Sequence, residues 1–190
     1  MSLPNLTAEP LAIPDVVMVV PRRIGDARGW FAETYNAKSF VAIGIDATFV
    51  QDNESLSAQK GTVRGLHFQV PPMAQAKLVR VLKGAIMDVV VDIRRGSPTY
   101  GKWCSATLTA SGGEQLYIPR GFAHGFCTLE ADTQVAYKVD GYYAPECDTG
   151  ILWNDPEIGI AWPVDAAAAI LSQKDRGLPP LRDFASPFTL

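Results

Sequence analysis

The chain has 190 residues, 47% of them hydrophobic, which is enough to bury the core of one soluble domain over residues 1–190. Its 17 basic residues are set against 20 acidic ones, and the net charge of −3 gives no reason to expect general binding to nucleic acid or membranes. Residues 1–5 show no basic stretch ahead of a long apolar run, so no signal peptide is expected. The three cysteines are widely spaced and indicate reduced thiols in a cytoplasmic protein.

Short strands dominate the elements that the chain predicts in order. Segments rich in Val, Ile and aromatic residues, bounded by Gly and Pro, predict strands over residues 16–20, 78–82, 85–93, 103–109, 115–118, 125–129 and 134–139. Asn36 is a suitable N-cap for a helix that ends at Gly44, and Asp165 is a candidate cap for a second helix over residues 166–171. Residues 179–190 look irregular. Many short strands at close spacing favour an antiparallel barrel or sandwich.

Two segments resemble the two halves of the cupin barrel signature. Residues 113–124 read G-x5-P-x-G-x2-H and match each fixed position of the second motif, which ends at His124. Residues 61–67 begin the first motif, G-x5-H-x-H, with His67 as its first His. Gln69 replaces the second His, and Lys77 replaces the Glu that binds metal in many cupins. Because an ammonium group repels a cation, we expect a mainly β, cupin-type jelly roll whose pocket performs acid–base chemistry without a metal.

His67 is the first candidate for that chemistry. An isolated His between two apolar residues is more often a satisfied core histidine, but a cupin ligand position points its side chain into the barrel. Imidazole titrates near neutral pH and therefore suits proton abstraction. A carboxylate on the other ring nitrogen would fix its tautomer, and Asp175 is a candidate for that partner.

A longer series of segments carries a more specific resemblance. In order, the segments are residues 25–33, 49–53, 64–69, 77–80, 92–94, 97–103, 113–126, 137–138, 142–143, 150–151, 153–156, 160–163 and 171–175. In them the chain resembles the dTDP-4-dehydrorhamnose 3,5-epimerase family, metal-free cupin enzymes of deoxysugar nucleotide synthesis. The resemblance implies an isomerase that acts at C3 and C5 of a dTDP-4-keto-6-deoxyglucose-like substrate through an enolate. It also implies a homodimer that needs no cofactor.

The resemblance assigns roles to individual residues. His67 matches the family's base and Asp175 its orienting carboxylate. Lys77 matches the group facing the enolate oxygen, and Tyr137 the acid that returns a proton from the opposite face. The positions that match substrate contacts are Arg28, Glu33, Gln51, Asp52, Asn53, Arg64, His124, Tyr142, Asp148 and Lys174.

Two of these contacts carry a further expectation. Tyr142 is a candidate for stacking on the nucleotide base. In the family, N-terminal residues cross to the partner subunit, so Arg28 and Glu33 are expected to complete the neighbour's site. A dimer would then be necessary for activity.

Other functions stay open at this level. Related enzymes of antibiotic sugar pathways epimerise one carbon, C3 or C5, with the same base and acid, and residue patterns do not separate them. A metal-dependent cupin, such as an oxygenase, would need the ligands that Gln69 and Lys77 replace. A non-catalytic carbohydrate-binding barrel would not need His67, Tyr137 and their two charged partners together.

Overall fold

The computed structural model describes residues 5–190, which form two packed antiparallel sheets, a small hairpin and two short helices. The strands are β1 (Leu6–Pro10), β2 (Val17–Pro21), β3 (Ile24–Asp26), β4 (Gly29–Phe31), β5 (Gln51–Ser57), β6 (Val63–Gln69), β7 (Lys77–Lys83), β8 (Ala85–Asp92), β9 (Trp103–Thr109), β10 (Gln115–Ile118), β11 (Phe122–Thr128), β12 (Thr133–Val139) and β13 (Asp148–Gly150). The helices are α1 (Ala37–Ala42) and α2 (Gln173–Arg176), and 3-10 turns cover Pro145–Cys147 and Leu181–Asp183. Residues 1–4, on which the signal-peptide prediction partly rests, lie outside the described residues.

The strand order is that of a jelly roll, as the sequence predicts. The larger sheet runs β1-β2-β10-β7-β12-β5, and the smaller one runs β13-β6-β11-β8-β9. Strands β3 and β4 pair only with each other and form the separate hairpin. Within residues 5–190, no helix has the length and apolar character that crossing a membrane requires.

Each predicted strand is present, and the two predicted over residues 103–109 and 115–118 match the observed bounds. The helix predicted after Asn36 is confirmed, because the Asn36 side chain accepts hydrogen bonds from two backbone N–H groups of the first turn of α1. Six observed strands were not predicted, namely β1, β3, β4, β5, β6 and β13. Strand β5 is polar at six of its seven positions and lies at a sheet edge, where polar residues are common.

The helix predicted over residues 166–171 is wrong. A single turn follows Asp165, whose carbonyl accepts from two backbone N–H groups. The chain then extends, and Ile170 exchanges backbone hydrogen bonds with Gly61 and Val63. These bonds satisfy the backbone groups that a longer helix would pair internally. The short helix α2 begins instead after Ser172, whose side chain caps it.

The core has two main layers that share strand β8. Val90 faces the space between the sheets, where it packs with residues such as Val79 of the larger sheet. Val89 and Val91 face the opposite side, where the segment after α2 covers the smaller sheet. Phe188 of that segment packs edge-on against Phe68, with ring centroids 6.2 Å apart. The smaller sheet is therefore buried on both faces and forms a fixed wall for the site.

Two glycines let strands β6 and β11 approach closely beside the site. A Cβ atom on Gly65 would lie 2.5 Å from the Cα atom of Gly125, and one on Gly125 would lie 2.7 Å from the carbonyl oxygen of Arg64. Neither contact is possible for a larger residue. The pairing between the strands shifts just after His124, which lies directly opposite His67. Both imidazoles are thus held side by side on the smaller sheet.

Candidate active site

A pocket of about 500 Å³ opens between the two sheets and the segment that leads into α2. The larger sheet provides Tyr137 and Lys77, whereas the smaller sheet provides His67 and His124. Further predicted residues in its lining are Gln51, Asn53, Arg64, Asp148, Lys174 and Asp175. The structure therefore brings together all four predicted catalytic residues, and their roles stay predictions.

His67 pairs with the buried carboxylate of Asp175. The His67 Nε2 atom lies 2.5 Å from Asp175 Oδ1, and the Asp175 side chain is only 3% exposed. The Ser172 hydroxyl donates to the other carboxylate oxygen at 2.8 Å. Burial acts to raise the pKa of Asp175, but the hydrogen bonds from His67 and Ser172 outweigh it and lower the pKa. The ionised carboxylate holds the ring proton on Nε2, which leaves Nδ1 of the 30%-exposed imidazole as the basic nitrogen.

Lys77 bridges the two walls. Its side chain extends from the first residue of β7, and its Nζ donates to the carbonyl oxygen of His67 at 3.2 Å. Burial lowers the pKa of Lys77 from 10.5 to about 8, while the charges of Asp88 and Asp148 oppose that shift and Lys174 adds to it. The amine is therefore mostly an ammonium ion at neutral pH and can face a developing negative charge.

Tyr137 lies on the wall opposite His67. It is in the middle of β12, which pairs with β7 on one side and β5 on the other. Burial is the main cause of its raised pKa, which the nearby Arg64 opposes. The phenol is therefore neutral and able to donate a proton at pH 7. A base on one sheet and an acid on the other can reach opposite faces of a ligand held between them.

A network on the rim orders the entrance. Asp148 accepts hydrogen bonds from Lys174 at 2.6 Å and from the Tyr143 hydroxyl at 3.1 Å. The Gln51 side chain accepts from the backbone N–H of Tyr143 at 3.0 Å and donates to Asn53 at 2.9 Å. The lining residues that sequence reasoning missed include Tyr143, Gln75 and Phe126.

Four of the predicted substrate contacts do not line this pocket. Asp52 lies between Gln51 and Asn53 on a strand, so it faces the other side and pairs with Lys138 at 2.8 Å. The aromatic ring at the pocket belongs to Tyr143, whereas Tyr142 is exposed outside it. Arg28 and Glu33 are exposed in the N-terminal part of the chain, and Arg28 pairs with Asp26.

Gln69, which stands in place of the second His of the cupin motif, has a structural role. Its amide nitrogen donates to the carbonyl of Met73 at 2.6 Å and to that of Tyr142 at 3.1 Å. Its amide oxygen accepts from the backbone N–H of Ala144 at 2.8 Å. Gln69 therefore fixes both neighbours of Tyr143 in place. Within residues 5–190, no three His, Cys, Asp or Glu side chains are grouped closely enough to hold a metal ion.

We expect Gln69→Glu to lower the free energy of unfolding by about 2–4 kcal/mol, because two part-buried carbonyls lose their donor and face a buried carboxylate. Urea unfolding measures the change. In the matched variant Gln75→Glu, one bond to the carbonyl of Gly141 is lost, and the cost should be about half as large. Equal stabilities for wild type and Gln69→Glu would contradict the anchoring role.

Comparisons with known proteins point to one family. The profile described as dTDP-4-dehydrorhamnose 3,5-epimerase matches residues 10–183. The dTDP-4-dehydrorhamnose 3,5-epimerase of Sinorhizobium fredii is 52% identical over 186 residues, which cover 98% of this chain and 95% of that protein. The crystal structure of the Bacillus anthracis dTDP-4-dehydrorhamnose 3,5-epimerase, with TDP and PPi bound, matches with a TM-score of 0.89 and 50% identity over 92% of this chain and 99% of that chain. A 3'-monoepimerase from Streptomyces bikiniensis, in complex with dTDP-quinovose, matches with a TM-score of 0.84 and 35% identity over 92% and 87% of the two chains.

Proposed function

The chain belongs to the dTDP-4-dehydrorhamnose 3,5-epimerase family, and on that basis we propose that it inverts C3 and C5 of a dTDP-linked 4-keto-6-deoxyhexose in dTDP-rhamnose synthesis. The observation that supports the proposal is the position of the candidate base and the candidate acid on opposite walls of one pocket. His67 is on the smaller sheet, Tyr137 is on the larger sheet, and the Lys77 ammonium spans the space between them.

The chemistry follows from the ketone at C4. That carbonyl acidifies the protons on C3 and C5, and Nδ1 of His67 removes one while Asp175 stabilises the imidazolium that forms. Lys77 faces the enolate oxygen and offsets its negative charge in a partly dry pocket. Tyr137 then protonates the carbon from the opposite face, which inverts its configuration. The balance of each cycle is one proton removed and one returned.

The nucleotide end of the substrate needs cations and a flat surface. Arg64 and Lys174 lie in the pocket lining and suit the diphosphate. The amides of Gln51 and Asn53 both donate and accept, which suits the edge of a thymine ring. Tyr143 is the aromatic residue placed to stack on that ring.

Inversion of a single carbon is the second candidate, and the match to the 3'-monoepimerase supports it. The identity of 52% with a 3,5-epimerase against 35% with that enzyme favours inversion at both carbons. The deciding experiment is incubation with dTDP-4-keto-6-deoxyglucose in D2O, followed by NMR of the product. Deuterium at C3 and C5 supports the proposal, deuterium at one carbon supports the second candidate, and no incorporation at either carbon rejects both.

We propose that no metal takes part, because Lys77 occupies the cupin position at which a carboxylate ligand would stand. The same D2O incubation after exhaustive EDTA treatment tests this point. Deuterium exchange at C3 and C5 should continue at the untreated rate. A loss that zinc, iron or manganese restores would reject it.

We also propose a cytoplasmic homodimer in which the β3–β4 hairpin reaches the partner's pocket. The hairpin exposes 59% of Trp30 and 71% of Phe31, an apolar surface that a partner would cover. The guanidinium carbon of Arg23 lies 4.1 Å from the centroid of the Trp30 ring, and this cation–π contact holds the ring in place. Arg28 and Glu33 would then enter the neighbour's site. The three buried, unpaired cysteines fit a reducing compartment.

Mixed dimers test this arrangement. Arg28→Ala and His67→Asn should each be nearly inactive alone, but co-refolding them should restore about a quarter of wild-type activity. Half of the dimers are mixed, and one of the two sites in each is intact. A control mixture of His67→Asn with Lys77→Met, both in the same pocket, should restore nothing. Equal activity of the two mixtures would contradict the crossing of Arg28.

A further inference from the structure

Asp88 is a fully buried carboxylate that the mechanism above does not use. It lies in the middle of β8, and its Oδ1 accepts a hydrogen bond from His124 Nε2 at 2.5 Å. Its other oxygen, Oδ2, has no hydrogen-bond partner within residues 5–190. Burying a carboxylate oxygen without a hydrogen-bond partner destabilises a fold. Its presence here therefore indicates either a nearby compensating charge or a functional role.

Lys77 is placed to provide that charge. It lies on the same face of β7 as Val79, and Asp88 lies on the same face of β8 as Val90. Val79 and Val90 pack in the core cluster between the sheets. The ammonium and the carboxylate therefore both point into the barrel, from opposite walls.

The charges around Lys77 come from three elements. Asp88 on β8 and Asp148 on β13 raise its pKa, Lys174 on α2 lowers it, and burial lowers it most, to about 8. Of the two carboxylates, Asp88 acts more strongly. Asp148 is already paired with Lys174 at 2.6 Å, whereas Asp88 is paired with an imidazole.

The imidazole of His124 is held neutral between these groups. Burial lowers its pKa, Asp88 opposes that effect, and Lys77 and His67 add to it. A neutral ring that donates from Nε2 to Asp88 keeps Nδ1 as an acceptor. Asp88 therefore sets the tautomer of a ring in the pocket lining.

We propose that Asp88 is a positioning residue for the reaction, which orients the His124 ring and supplies the negative charge that keeps Lys77 an ammonium ion inside the barrel. This inference rests on the proposed function, because it assigns a purpose to the charge on Lys77. Without Asp88, Lys77 would lose its proton at a lower pH and could not stabilise the enolate there.

The test compares Asp88→Asn with wild type across pH. The rate kcat of wild type should fall above about pH 8, and in Asp88→Asn that fall should begin about one unit lower. The ratio of wild-type to variant kcat should therefore grow about tenfold between pH 6.5 and pH 9. A purely structural defect would lower kcat by the same factor at each pH, and this result would overturn the proposal. Asp92→Asn is the matched control, since Asp92 is equally buried on β8 but pairs with Arg94, and it should leave the ratio constant.

A second measurement does not depend on activity. NMR titration of the Lys77 side chain in labelled protein should give a lower midpoint in Asp88→Asn than in wild type, again by about one unit. If wild type proves inactive, the proposed function fails while this titration still decides the coupling. If Asp88→Asn does not fold, the smaller Asp88→Ser variant, whose hydroxyl can accept from His124, serves in both measurements. An unchanged Lys77 midpoint would overturn the proposal.

Discussion

Replacing His67 with Asn should reduce solvent exchange at both C3 and C5 by at least about 1,000-fold, with the fold intact. A positioned base contributes roughly 10²–10⁴-fold, and the amide of Asn cannot accept a carbon-bound proton. Deuterium uptake from D2O, followed by NMR at each carbon, measures the loss. Thermal unfolding and binding of dTDP serve as controls, because neither needs the base.

Asp175→Asn should cost less, about 10–100-fold in kcat, because it changes the orientation and charge around His67 without removing the base. The hydrogen bond between His67 and residue 175 would remain, but with a neutral amide oxygen as its acceptor it would be weaker. If His67→Asn retained exchange near the wild-type rate, another residue would have to be the base. Retention at one carbon alone would mean that the two carbons use different bases.

Tyr137→Phe should separate exchange from inversion. The ring and its packing remain, but the donor on the opposite face is lost. His67 can still remove a proton and return one to the same face after trading with water. We expect net inversion to fall about 100–1,000-fold while exchange stays within about tenfold of wild type. Tyr117→Phe, on β10 away from the pocket, is the matched control.

Lys77→Met should instead suppress exchange and inversion together, each by about 100–1,000-fold, because the enolate itself becomes too costly to form. Lys83→Met, at the exposed far end of the same strand, should leave both within about threefold. The ratio of deuterium uptake to inversion in Tyr137→Phe and in Lys77→Met is the deciding quantity.

Equal losses of deuterium uptake and of inversion in Tyr137→Phe would remove the support for the role of Tyr137 as acid.

The sequence predicted the fold well where strands are buried, because such strands must be apolar. Strand β8, predicted over residues 85–93 and observed over Ala85–Asp92, is an example, because seven of its eight residues are buried. It predicted poorly where tertiary contacts decide the conformation. The polar strand β5 exists because β12 pairs with it, and the segment after Asp165 extends because β6 offers it hydrogen bonds.

The site shows the same division. The resemblance to the two cupin motifs placed His67 and Lys77 inside a barrel. The partner of His67 is 108 residues away, so no local pattern separates Asp175 from the other carboxylates, and its assignment depended on the family resemblance. Which of Tyr142 and Tyr143 lines the pocket depends on hydrogen bonds that Gln69 and Gln51 make to their backbone. No local sequence pattern predicts these bonds. If β5 had been predicted as a strand, the alternation of side chains along it would have indicated that Asp52 points away from the pocket.

The link between His67 and Asp175 also has a consequence for the order of synthesis. The thirteen strands found within residues 5–190 end by Gly150, whereas the carboxylate proposed to orient the base belongs to α2, at residues 173–176. On a translating ribosome, both sheets can therefore pair before the imidazole has its partner. A nascent barrel that lacks this carboxylate should therefore turn over a sugar nucleotide at least about 10–100-fold more slowly than the finished chain, the loss expected for Asp175→Asn.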